Sequence, residues 1–188
     1  MKTMTLRMSH AFRRFARDRR GVSAVEFALL APIMVALYLG CVEVSDAVSA
    51  DRKVSLTAAA VANLTAQVAT ISTSDMTNIL DASTANISPY SASKLKITVS
   101  CLNIDANKNV TVKWSYTRNG TARSLGAYTF DSSNAALAVA KSWLILSEVS
   151  YAYTPTVGYT ITGTLNLSDQ MFMSPRITTP VYGGTACT

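Results

Sequence analysis

The longest apolar block comes first. From Phe27 to Val42 no charged residue occurs, and Val22 to Val25 before it with Glu43 to Val44 after it bring the stretch to the roughly twenty residues that cross a bilayer as a helix. Neither Gly nor Pro occurs between Cys41 and Ser88. Val54, Ala58, Val61, Leu64 and Val68 recur there at spacings of three and four, the stripe of an amphipathic helix. One unbroken helix from Val22 to about Thr70 would be roughly 70 Å long at 1.5 Å per residue. That is more than twice the hydrocarbon thickness, so its second half projects from the membrane or packs on the domain C-terminal to it. Pro32 removes one backbone hydrogen bond inside the apolar part and reads either as a tolerated kink or as a hinge for extraction, the kink being simpler. A second, short helix is expected over Ser72 to Ser83, with Ser74 as N-cap and Met76, Ile79 and Leu80 facing inward, ended by Ser88-Pro89.

From Lys94 the period changes to two. Leu95, Ile97, Val99 and Cys101 alternate with Lys94, Lys96, Thr98 and Ser100; Val110, Val112, Trp114 and Tyr116 alternate with Thr111, Lys113 and Ser115. This pattern predicts two half-buried antiparallel strands joined through Asn103 to Asn109, the second ended by Asn119-Gly120. Arg123 to Asn134 is looser, and Ala135 to Lys141 reads as a short helical or irregular link. Trp143 to Tyr153 is a third strand whose alternation (Leu144, Leu146, Val149, Tyr151, Tyr153) is interrupted near Ser147. A fourth extended segment is expected near Ile161 to Met173, and the tail after Pro175 is turn-rich. The fold class is therefore α+β: a long N-terminal membrane-spanning helix followed by a small antiparallel sheet domain. The expected divisions are a leader over 1–21, the helix over 22–70 and one modest domain over 71–188.

Charge supports a membrane topology. Residues 1 to 20 contain seven basic side chains and one acid, Asp18, which accounts for the whole formal net charge of +6. Basic residues ahead of a first apolar span hold that side in the cytoplasm, so the excess argues for orientation and not for nucleic-acid binding. Two other readings of the span exist. Val48-Ser49-Ala50 resembles a secretory cleavage site but lies beyond Glu43 and Asp46, late for a compact signal. Leu39-Gly40-Cys41 hints at lipidation, though Tyr38 stands where an aliphatic residue is favoured.

Glu26 is the unusual residue of the span. A carboxylate in an apolar segment costs a few kcal/mol on insertion scales and is expected where a partner satisfies it. One such partner is a free α-amino group made by cutting after Gly21 and supplied by a neighbouring copy or another subunit. A weaker alternative is its own helix start, where the dipole favours an acid.

Arg20-Gly21, Val25-Glu26-Phe27-Ala28-Leu29 and Pro32 together resemble the N-terminal signature of TadE/TadG-like proteins, the pseudopilins and minor pilins of tight-adherence (type IVc) pilus systems. Looser similarity extends to Ala59 to Gln67, Trp114-Ser115, Tyr151 to Pro155 and Pro175-Arg176. The resemblance implies a single-pass inner-membrane protein with its C-terminal domain in the periplasm. It further implies cleavage between Gly21 and Val22 by a prepilin peptidase, and a part for Glu26 and Phe27 in assembly. The partners implied are other pilins and pseudopilins of the system, an inner-membrane assembly platform and membrane lipid, with incorporation into the extracellular pilus as a further step. Because the major pilin of such systems is little more than the helix, a domain of this size points to a minor component. The alternative is an uncleaved single-span protein whose exported domain is a scaffold or binding module.

Catalysis is not expected. The sole histidine, His10, lies in the leader, so a cleaved chain has no imidazole for a nucleophile–base pair or a metal. The carboxylates show no ligand spacing, no Gly-rich loop with a lysine suits a nucleotide, and no cofactor is implied. Cys41 reads as a small apolar residue of the membrane helix. Cys101 and Cys187 fall on the exported side, where an oxidising compartment lets them pair and pin the Gly183-Gly184 tail to the first strand. Trp114, Tyr116, Trp143, Tyr151, Tyr153 and Tyr159 read as core and cross-strand packing in preference to an adhesive face.

Overall fold

The computed structural model describes residues 20–155, 158 and 162–188. Helix α1 (Arg20–Ala66) runs for 47 residues, about 70 Å, and continues through Pro32. It is followed by β1 (Thr70–Ile71), α2 (Thr73–Thr84), β2 (Leu95–Ile104), β3 (Val110–Arg118) and β4 (Gly126–Tyr128). β5 (Ser142–Tyr153), β6 (Leu165–Met173), β7 (Val181–Tyr182) and β8 (Thr185–Ala186) complete it. A five-stranded antiparallel sheet has the order β4-β3-β2-β5-β6; a small second sheet, β1-β7-β8, pairs β1 parallel to β7. The α+β class with a long N-terminal apolar helix is what the periodicity predicts.

The two halves of α1 differ in what surrounds them. No residue of its most apolar eighteen-residue window is buried by the other described residues. From Glu43 onward one face is covered: Glu43, Ala47, Ala50, Val54, Thr57, Ala58, Val61, Ala62, Thr65 and Ala66 are all buried. The second half lies across β5 and β6. Alanines dominate this face, and their small volume lets the helix axis approach the sheet closely. The stripe follows Thr65 and Ala66, not Leu64 and Val68, which stay exposed, and α1 ends at Ala66, short of Thr70. The end is capped from afar. Ala66 O, one of the carbonyls a helix leaves unpaired at its C-terminus, accepts from Arg176 N–H at 2.9 Å.

α2 lies within one residue of the expected span, but its cap is a different serine. Ser72, and not Ser74, is the N-cap: its hydroxyl accepts from Asp75 N–H while the Asp75 carboxylate accepts from Ser72 N–H, a capping box.

The main sheet buries both of its faces at different places. Leu95, Ile97, Val99 and Cys101 of β2, Trp114 of β3 and Ile145, Val149 and Tyr151 of β5 pack under α1 and α2. After an irregularity in register between Cys101 and Leu102, the opposite face takes over: Leu102, Ile104, Val110, Val112, Leu144 and Leu146 form a second cluster, against which Tyr128, Phe130, Leu137 and Phe172 pack. β5 is therefore continuous. The interruption at Ser147 arises because both faces are buried over Leu144–Leu146, while beyond it only the α1 face is, neighbours along a strand pointing to opposite sides. The expected fourth strand begins at Leu165, and Ile161 lies outside the described residues. The tail is not merely turn-rich. Gly183 and Gly184 both have positive φ (56° and 84°), the requirement of a two-residue hairpin turn, and close β7 onto β8. Ala135 to Lys141 contains one short 3-10 turn, Ala135–Leu137.

Candidate functional site: the helix and its exit from the domain

Gly21, Val22, Glu26 and Phe27 lie in the first two turns of α1, all exposed, with Phe27 70% accessible. Among the described residues no side chain makes an ion pair or hydrogen bond with Glu26. The apolar surface from Val22 to Val42 includes Leu29, Leu30, Ile33, Met34, Leu37 and Tyr38, each more than half exposed. Patches of that size on a soluble surface mark contact with lipid or protein. With a mean hydropathy of 2.1 over its best window, α1 is long and apolar enough to cross a membrane, which fits a single-pass membrane protein.

Where α1 enters the folded unit, a polar cluster fastens it. The Tyr90 hydroxyl donates to Asp46 Oδ1 at 2.6 Å and to Asp46 O at 3.0 Å; the Tyr153 hydroxyl donates to Asp46 Oδ2 at 2.7 Å. The rings of Tyr90 and Tyr153 stand edge to face at 6.0 Å, and Tyr151 lies 6.2 Å from Tyr90. Glu43, one turn before Asp46, is buried. Burial, and then the hydrogen bond to the Asp46 carboxylate, hold the Tyr153 hydroxyl well above its ordinary value, pushed up to about 12, and raise Tyr90 for the same reasons. Both phenols remain protonated donors at any physiological pH. The only signal of this cluster in the sequence is two acids three residues apart directly after an apolar run, with no base beside them; their tyrosine partners are distant.

Cys101 and Cys187 are joined in a disulfide between the centre of β2 and the chain's end, with their Cα atoms 6.1 Å apart. The end is held further by Asn103 Nδ2, which donates to Cys187 O at 3.1 Å, and by Tyr182, whose ring lies 5.4 Å from Trp114 and 5.6 Å from Tyr116. Cys41 is free and exposed on the apolar half of α1. Trp114, Tyr151 and Tyr153 are buried, and Tyr116 and Trp143 pack on the same core, as the packing reading expects. Tyr159, His10 and the basic residues Lys2 to Arg19 lie outside the described residues. Among the described residues no three His, Cys, Asp or Glu side chains stand together as metal ligands.

Residues 21–63 match the family model described as TadE-like protein. The match covers the exposed apolar half of α1 and most of the half that packs on the sheet, and it agrees with the resemblance carried by the N-terminal signature. No curated protein and no solved structure matches the chain.

Proposed function

We propose, from the match of residues 21–63 to the TadE-like family model, that the chain is a pseudopilin or minor pilin of a tight-adherence (type IVc) pilus. It acts as a structural or assembly subunit and not as an enzyme. A prepilin peptidase removes residues 1–21 and leaves Val22 as the N-terminus. The apolar half of α1 is held in the inner membrane and exchanges lipid for the helices of other pilins and pseudopilins at the assembly platform. The folded unit stands in the periplasm, an oxidising compartment suited to the Cys101–Cys187 bond.

The observation that carries this reading is the unequal fate of one continuous helix. Its second half is the spine of a folded unit, while no residue of the most apolar window of its first half is buried by the described residues. A helix so built needs an apolar surrounding and a positive partner from outside itself. The α-ammonium of Val22 in an adjacent subunit supplies the charge, and the low local dielectric strengthens the pair.

The test is the intact mass of the protein purified from membranes. Wild-type chain is expected to begin at Val22, and Gly21→Leu to remain full length, because a side chain at that position blocks close approach of the backbone to a peptidase. A full-length wild-type mass would overturn this reading in favour of an uncleaved single-span protein with an exported scaffold or binding domain.

A further inference from the structure

α1 and the main sheet are fastened to each other at two levels. At the C-terminal end of the helix, Ala66 O accepts from Arg176 N–H just beyond β6; near residue 46, the Tyr153 hydroxyl at the end of β5 donates to Asp46 Oδ2 at 2.7 Å. From Asp46 to Ala66 the helix rises about 30 Å at 1.5 Å per residue. The nine residues of β6 extend about as far, at roughly 3.3 Å each. β5 and β6 therefore run alongside α1, and the sheet has a near end level with Asp46 and a far end at the 105–109 turn between β2 and β3.

The near end is built from the segment 86–94, the end of β5 and the start of β6. The Tyr90 hydroxyl reaches Asp46, Lys94 Nζ donates to Thr154 Oγ1 at 3.3 Å, and Leu95 lies opposite Tyr151 in the register. β6 begins beside Tyr153 with Leu165, an exposed apolar side chain.

The helix itself sets the height of this end above a bilayer. From Val22 to Val42 α1 rises about 30 Å, the thickness of the hydrocarbon core with nothing to spare. Asp46 stands one turn later, about 6 Å higher. Headgroups add about 5–8 Å on each side, so the near end is level with them and not clear of them.

The charges of α1 fit that level. Glu43 and Asp46 are its first acids after the apolar run, and the folded unit covers both, Glu43 fully and Asp46 in part. On the uncovered side of the same two turns stand Val44, Ser45, Val48 and Ser49, and the first exposed charged residues after Val42 are Asp51 and Arg52. A helix that met water at Val42 would have no reason to keep its outer side uncharged for two further turns; one still passing between headgroups does, because charge facing lipid is costly. The segment 86–94 contains no acid. Its one charge, the exposed Lys94, has the sign that suits lipid phosphates, and Tyr90 is of the residue type enriched at this depth.

On the reading that α1 spans a membrane, we propose that the near end of the sheet is seated in the phospholipid headgroup layer of the exported side. The contact is made by the segment 86–94 and the strand ends at Thr154 and Leu165. The folded unit is then held by its base as well as by its helix, and the acids at 43 and 46 are hidden from lipid by the chain's own fold.

The test uses the full chain in nanodiscs of phosphatidylethanolamine and phosphatidylglycerol, carrying a bimane fluorophore on single cysteines in a Cys41→Ala background. Ser93→Cys and Thr154→Cys report two separate parts of the near end, Ala106→Cys the far end and Val35→Cys the span; the Cys101–Cys187 bond is checked by peptide mapping in each. Both near-end labels are expected to lose most of their fluorescence to lipids with a nitroxide on the headgroup. The Ala106→Cys label, about 30 Å further out along β2, is expected to keep all of its own. The Val35→Cys label is expected to be quenched by a nitroxide deep in the acyl chain. Near-end labels as bright as the Ala106→Cys label, with Val35→Cys quenched from the acyl chain, overturn the proposal and leave the span intact. Headgroup quenching at Ala106→Cys equal to that at the near end overturns it as well, since the unit would then lie flat on the membrane. A Val35→Cys label untouched by the acyl-chain nitroxide overturns the span, and this proposal with it. None of these readouts needs cleavage or a fibre.

Discussion

The Asp46 carboxylate accepts hydrogen bonds from two tyrosines that lie 44 and 107 positions further along the chain. Asp46→Ala leaves the buried Tyr153 hydroxyl without its acceptor and the half-buried Tyr90 hydroxyl with only the main-chain carbonyl of residue 46, and about 2 kcal/mol of stability is expected to be lost. Asp46→Asn keeps one acceptor oxygen and should cost less; urea unfolding of the two variants checks the order. The same hydrogen bonds give an alkaline limit. The folded-state values of Tyr90 and Tyr153 are raised, so their contribution is fully present below the ordinary tyrosine value near 10; that of Tyr153 is lost as pH rises from there through about 12, and that of Tyr90 only at still higher pH. Tyrosinate absorbance measured alongside circular dichroism should show ionisation and unfolding together in that window. Glu26 belongs to the same scale but answers to a different environment. Glu26→Val raises hydrophobicity and is far from the folded unit, so insertion, cleavage and the disulfide are expected to be normal while pilus formation fails. A valine variant that is cut, folded and still forms normal pili would reduce Glu26 to a helix-start residue.

At the scale of elements, the contact between α1 and the sheet is a surface of small side chains. Ala58 is fully buried in it, and Ala58→Leu has no room to fill; overpacking is expected to cost about 1–3 kcal/mol, read as a lower urea midpoint with an unchanged slope. Long elements are legible in the sequence because each repeats a period many times. The apolar face of α1, the alternation of β2 and β3, and the span of β5 are all of this kind. What is not legible has physical causes. Two-residue strands such as β1, β7 and β8 are too short to show alternation, and they form because a distant tail returns to the end of α1. Ser72 and Ser74 are equally good caps by residue type, and the choice falls on the one with Asp75 three positions after it. The alternation of β5 breaks because one end of it is buried on both faces and the other on one only, which no single-face pattern anticipates.

Over the whole molecule, the folded unit is a closed arrangement in which the chain's end returns to its centre. The Cys101–Cys187 bond spans 86 positions, and in a chain-entropy account a loop of that length is worth up to about 4 kcal/mol. Cys101→Ser with Cys187→Ser is expected to lower stability by about 2–4 kcal/mol and to expose the β7–β8 hairpin to protease first, while α1 remains inserted. Alkylation with and without reductant, then peptide mapping, checks the pairing in wild-type protein; two free thiols under oxidising conditions would refute it. The site itself is only half legible in the sequence. Gly21, Glu26 and the cysteines stand out by residue type and place, whereas the Asp46 cluster exists only once the end of β5 and the segment carrying Tyr90 lie against α1.

Because α1 passes from uncovered to covered without a break, the molecule has a fixed helical phase between Glu26 and its folded unit. Each residue of helix contributes about 100° of rotation and 1.5 Å of height. One alanine inserted between Ala36 and Leu37 would turn Glu26 by about 100° relative to the sheet, with its height altered by less than the length of a hydrogen bond. Seven inserted residues restore the angle to within about 20° and lengthen the helix by two turns. If subunits are joined at both ends of α1, angular misalignment should be the more damaging change, and incorporation into pili should fall further with one inserted residue than with seven.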